Sequence, residues 1–127
     1  MQHPVEVDSM LECLEVLVKL IGENKKAMLH IYCSVQRETF TSVLDKMCQY
    51  VIKQYIVHNF KEEIMEKEDM KVLMHFYKCV MIGVILDWMD HRMSYDLTEY
   101  AEKLRELYEN TFEKTLEKAA GTKPVYL

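Results

Sequence analysis

The chain has little of what interrupts a helix. Three glycines and two prolines stand among 127 residues, too few for the turns of a hairpin-built domain, so an all-α fold is expected. A basic surface is also missing. The formal net charge is −5 and no cluster of Lys and Arg offsets it, which argues against a phosphate-binding or nucleic-acid-binding face. The four cysteines, Cys13, Cys33, Cys48 and Cys79, are widely spaced, with no C-x-x-C and no zinc-finger interval to a histidine. Neither a disulfide framework nor a structural zinc site follows from such spacing. Each cysteine sits among apolar residues as a small hydrophobe, the usage of a reduced, cytoplasmic protein.

Catalytic patterns are missing as well. There is no G-x-S-x-G, no phosphate-cradling glycine loop and no cysteine beside a plausible base. Asp87 and His91 lie four apart, as solvated pairs near a helix end commonly do, and His91 there favours the helix dipole. A metal site would need a third ligand that the sequence does not nominate. The expectation is therefore no enzyme, no metal and no cofactor. A small helical enzyme would have to draw on His58, His75 and Tyr55 or Tyr77. Met1 to Asp8 has neither a basic start nor an apolar run, so no signal peptide is read. The apolar run from Cys79 to Leu86 is too short to span a bilayer and is flanked by Lys78 and Asp87; no membrane partner is expected.

What is present is apolar and periodic. Half of the chain is hydrophobic, enough for the core of one domain and too short for two. Met70 to Met93 carries two apolar faces at helical spacing. Met70, Leu73, Met74, Tyr77, Met81, Val84, Ile85 and Trp88 fall on one side. Val72, Phe76, Cys79, Ile82, Gly83 and Leu86 fall on the roughly opposite side. A surface helix needs only one stripe, so this one is to be covered twice, either at the centre of its own domain or by a partner chain as well.

About five helices are expected. Asp8 or Ser9 caps a first helix with Met10, Leu14, Leu17, Val18 and Ile21 on one face, and Gly22 stops it. Asn24 caps a short second helix to about Cys33, and a third runs roughly from Gln36 to Phe60. Lys61 to Asp69 reads as a charged loop or frayed helix end. After the double-faced helix, Ser94 to Asp96 makes a break, and Asp96 with Glu99 forms a capping box. A last helix, about Leu97 to Ala119, carries Leu97, Tyr100, Ala101, Leu104, Tyr108, Thr111, Phe112 and Thr115 on its apolar side. Glu99, Glu102, Glu106, Glu109, Glu113 and Glu117 occupy the other. Gly121 ends it. Residues 1–7 read as extended or disordered, 8–120 as the folded domain and 121–127 as a loose tail.

One polar anomaly stands out. The third helix's apolar stripe, Phe40, Val43, Leu44, Met47, Val51 and Tyr55, also contains Gln54 and His58. A polar group on a core face must find a partner, since leaving it unsatisfied costs about 1–3 kcal/mol. One reading is a pocket in which Gln54 and His58 orient a small, mostly apolar molecule beside Met47, Met74, Tyr77 and Met81. The other places His58 near the helix end and Gln54 at the margin, both satisfied locally.

Several of these residues together resemble a known family. Phe76-Tyr77-Lys78-Cys79, Gly83, Leu86-Asp87-Trp88-Met89 and Met93, followed by a capped amphipathic helix, resemble the C-terminal domain of TetR-family transcriptional regulators. Asn24-Lys25-Lys26, Leu29-His30-Ile31-Tyr32, Ser34 and Arg37-Glu38 are similar to the same region. The resemblance covers about Asp8 to Ala119, and Gly83-x-x-x-x-Trp88 is its most distinctive part. It implies an effector-binding and dimerisation domain whose last two helices pair with their copies in a four-helix bundle. Cys79, Ile82, Gly83, Leu86, Leu104 and Tyr108 would then meet the second subunit of a homodimer. It also implies that effector binding controls operator DNA through an N-terminal helix-turn-helix domain, which does not stand between Met1 and the first helix here. The alternative is a stand-alone helical module that binds another protein. Arg92 departs from the family pattern, which often has glycine at the end of the penultimate helix.

Overall fold

Met10–Gly22 (α1) turns Cys13, Leu14, Leu17, Val18 and Ile21 inward, all buried, at the i, i+3, i+4 recurrence that makes one apolar stripe. The computed structural model describes residues 10–34, 37–108 and 111–121; the expected caps Asp8 and Ser9, the N-terminal segment and residues 122–127 lie outside them. Lys25–Tyr32 forms α2, Arg37–Asn59 α3, Glu68–Asp90 α4, Leu97–Tyr108 α5 and Thr111–Ala120 α6. Among the described residues there are only helices, and the fold is all-α. α1 packs against α3 and α5, while α4 packs against α3 and α6.

Local chemistry accounts for most of the helix ends. Asn24 occupies the N-cap of α2, although its side chain makes no capping bond. The backbone N–H of Glu99 donates to Asp96 Oδ1 at 3.0 Å, the Asp96 half of the expected box. Gly121 adopts φ 76 after α6, the left-handed conformation that suits glycine at a helix end. Lys67 Nζ donates to the carbonyl of Ala120 at 2.6 Å, so a side chain preceding α4 ties down the last turn of α6.

Four expectations are corrected. The charged link is ordered into a 3-10 turn, Glu62–Glu66, because Ile64 is buried and anchors it. The stretch expected as one helix from Leu97 to Ala119 is described as Leu97–Tyr108 and Thr111–Ala120, with residues 109–110 outside the described ones. The buried positions of the second segment do not continue the phase of the first. Leu116 and Ala120 enter the core, whereas Tyr100 and Tyr108 stay exposed, and Glu113 and Glu117, expected in solvent, become half-buried. The double-faced helix begins at Glu68 and ends at Asp90 rather than Met93, since Arg92 and Met93 have φ 55 and 56 and cannot continue a right-handed helix.

The fourth correction concerns α3. Its core face is turned toward Cys48, Ile52 and Ile56, and Val43 is exposed. Gln54, His58 and Met47 consequently sit at the margin, half-buried. The core runs from α1 through Leu44, Ile52 and Ile56 to Met70, Ile85 and Met89. Each fully buried aliphatic side chain contributes roughly 1.5–3 kcal/mol of transfer free energy. The single tryptophan, Trp88, closes this core and donates from Nε1 to the carbonyl of Tyr95 at 3.0 Å, which fixes the turn between α4 and α5.

Candidate functional site

The two faces of α4 have different fates. Met70, Tyr77, Met81, Ile85 and Trp88 are buried, and Leu73, Met74 and Val84 are half-buried against them. On the other side Val72 is 58% and Phe76 57% exposed, with Val80 beside them at 46%. Cys79 and Gly83 are exposed on the same stripe, and nothing lies within 4 Å of a Cβ built on Gly83. The fold of the single chain therefore gives no reason for a glycine there. Cys79, Val80, Gly83, Val84, Asp87, Tyr95 and Tyr100 bound a hollow of about 420 Å³ beside it. Tyr100, Leu107 and Tyr108 continue exposed apolar surface along α5, Leu107 at 79%.

By length and composition α4 is also apolar enough to cross a membrane, a property the short run Cys79 to Leu86 had concealed. Part of that apolar surface is buried in the core, and Val72, Phe76 and Val80 carry the rest into the open.

Of the six residues expected at the subunit contact, Cys79, Gly83 and Tyr108 are on open surface. Ile82, Leu86 and Leu104 are half-buried, and Ile82 and Leu86 pack on the core. The Leu86 carbonyl accepts from the Tyr32 hydroxyl at 3.5 Å, so that side of α4 is held by α2. Tyr32 also bonds to Asp90 and Arg37, Arg37 stands 3.2 Å from Asp90, and the guanidinium lies 4.2 Å from the Tyr32 ring centroid. Burial, and then the bond to Asp90, push the Tyr32 hydroxyl up to about 12. The cluster clasps the start of α3 to the end of α4.

The expected ligand residues are not brought together. Tyr77 and Met81 are core residues, and Met47, Gln54 and His58 lie along the margin of α3. Met74 alone of the six lines a groove of about 540 Å³ between α3 and α4. Ile52, Met65 and Met74 supply its apolar wall, and Lys46, Lys53, Lys71 and Lys78 supply its charge. Lys78 lies 3.1 Å from Asp45, whose carboxyl that bond holds below its usual range. Lys71 lies 3.5 Å from Glu66. Sequence reasoning had missed this groove, although Lys46 and Lys53, like Lys71 and Lys78, stand seven residues apart and so share a helix face. Asp87 and His91 form an exposed pair 3.6 Å apart, as their spacing suggests.

Comparison with known families gives one match: residues 8–110 fit the model of a TetR-type family described as a transcriptional regulator C-terminal region. No curated protein and no solved structure matches the chain.

Proposed function

The chain belongs to the TetR-type family of transcriptional regulator C-terminal regions, and from that premise we propose that it is the effector-binding and dimerisation domain of a cytoplasmic regulator. The domain spans about residues 8–120. Its dimer forms through the open stripe of α4 and the adjoining surface of α5, and effector binding adjusts the DNA grip of a helix-turn-helix domain. The observation that carries this reading is the exposed row Val72, Phe76 and Val80 with Gly83 among them. Contiguous apolar surface of this kind marks an interaction site. A two-fold contact places the same patch on both subunits, and a glycine in its middle lets two helix backbones approach closely. Cys79, Gly83 and Tyr108 remain in the proposed contact, joined by Val80 and Tyr100. The effector site is the groove between α3 and α4, which keeps Met74 from the expected pocket.

Sedimentation velocity tests the dimer. The wild-type chain at micromolar concentration should sediment as a dimer, with a contact of at least about 1,200 Å² in total. Val80→Glu should give a monomer with unchanged helicity, because the charge would be desolvated at the contact. Gly83→Leu should also weaken association. A wild-type chain that sediments only as a monomer overturns the dimer, and a Gly83→Leu dimer as tight as wild type removes Gly83 from the contact.

A further inference from the structure

The groove between α3 and α4 collects positive charge on a chain that is acidic as a whole. Among the described residues its lining contains four lysines and His75, and no carboxylate, while the chain's formal net charge is −5. Asp45 and Glu66 reach Lys78 and Lys71 from outside the lining. Lys46 and Lys53 have no carboxylate within ion-pair distance among the described residues. Two ammonium groups without such a partner therefore stand two turns apart on one helix face, opposite the paired Lys71 and Lys78 of α4. Like charges gathered around one concavity work against folding. They are well placed for an anion, whose local concentration such a field raises.

The walls add the second half of the specificity. Ile52 is buried, and Met65 and Met74 are half-buried; methionine adapts its shape to an apolar guest. The Tyr50 hydroxyl can hydrogen-bond a head group at the rim, and His75, whose Nε2 contacts the Cys79 sulfur at 3.7 Å, lines the same groove. The volume of about 540 Å³ lies within the size of ordinary small-molecule sites. Resting on the reading of this groove as the effector site, we infer that its ligand is an amphipathic anion: an apolar body against Ile52, Met65 and Met74, and a carboxylate or phosphate head held by Lys46 and Lys53. Lysine, a compact point charge on a flexible stem, accepts either head.

Isothermal titration calorimetry of the whole chain with four ten-carbon probes tests this: decanoate, decyl phosphate, decanol and decylammonium, each below its micelle-forming concentration. At least one anion should bind more tightly than the alcohol by about fivefold or more, and added salt should weaken it. The tighter of the two anions identifies the head group. Lys46→Gln with Lys53→Gln should remove that advantage while circular dichroism stays unchanged. Lys25→Gln with Lys26→Gln, the same charge loss on α2, should leave it intact. Decanol or decylammonium binding as tightly as the anions overturns the anionic class and leaves the groove as an effector site. An anion advantage that survives the Lys46 and Lys53 changes overturns the groove as its location. No binding by any probe overturns both the ligand class and the effector reading of the groove, and the dimer reading is judged separately by sedimentation.

Discussion

The backbone N–H of Met93 donates to the carbonyl of Trp88 at 2.9 Å. With the Arg92 N–H donating to Met89, also at 2.9 Å, this is the bond pair of a Schellman turn. Met93 is buried, which supplies the apolar contact that accompanies such turns. The turn ends α4 and directs the chain toward Tyr95, whose carbonyl Trp88 holds. The residue it needs in the left-handed region is Arg92, at φ 55, a conformation that suits glycine.

Arg92→Gly should therefore stabilise the domain. A non-glycine residue in this region costs roughly 1–2 kcal/mol, partly offset because glycine gains more entropy on unfolding. Among the described residues the Arg92 guanidinium contributes only a 3.7 Å contact to the Cys33 sulfur. The net gain should be about 0.5–1 kcal/mol, read as a higher urea midpoint at unchanged slope. A lower midpoint would mean that the Cys33 contact outweighs the backbone strain.

Substitutions on the two faces of α4 should separate stability from assembly. Ile85 is fully buried, so Ile85→Ala should cost about 2–5 kcal/mol at every protein concentration. Val72→Ala should change the stability of the dilute monomer by less than about 0.5 kcal/mol and lower self-association. Denaturation at submicromolar protein, paired with sedimentation, reads both. A large loss at Val72 in the monomer would place that side chain in the core.

Thiol labelling should report the same division. Cys33 and Cys79 are exposed, and Cys13 and Cys48 are buried. Burial raises the Cys13 thiol and pushes Cys48 up to about 12, so few thiolates form at either. A thiol reagent at pH 8 should modify Cys33 and Cys79 quickly, and the other two only on unfolding. If α4 is the dimer contact, Cys79 should become slower to react as protein concentration rises, while Cys33 should not. Equal rates for the two at all concentrations would count against that contact.

Alkaline pH should destabilise the domain. Burial and then the bonds to Asp90 and Asp87 push the Tyr32 and Tyr95 hydroxyls up to about 12 from an ordinary 10.0, and Cys48 rises from an ordinary 9.0. The unfolded chain loses these protons first and then binds fewer protons than the folded one, so stability falls with rising pH. The contribution is complete below pH 9 and disappears toward pH 12. Chemical denaturation between pH 7 and 11 should show a decline that begins near pH 9. Tyr95→Phe should flatten part of it, and a curve level to pH 11 would contradict the raised values.

Much of this was legible because helical periodicity is a local property. The stripes of α1 and of the inner face of α4 follow from spacing alone, as do the Gly22 and Gly121 stops and the Asp96 cap. Phase errors were not local. On α3 several apolar residues bracket the true core face, and only packing against α1 and α4 selects Cys48, Ile52 and Ile56 over Val43. Along the last stretch the buried positions after Thr111 do not continue the phase set by Leu97 and Ala101, so Leu116 is buried without having been expected there and Glu113 is half-buried against expectation. The site suffered most. A groove is made by two helices, and neither lysine pair shows its partner until α3 and α4 lie side by side.

The sequence by itself determined an all-α domain, the helix with two apolar faces and a family whose regions regulate transcription. These follow from residue spacing, scarce glycine and proline, and short motifs carried along the chain. Tertiary structure alone decided which of the two faces is filled from within, left Val72, Phe76, Val80 and Gly83 open, and brought four lysines to one groove. The physical reason is that burial and converging charge depend on distances between segments far apart in the chain, and those distances exist only once the helices have packed.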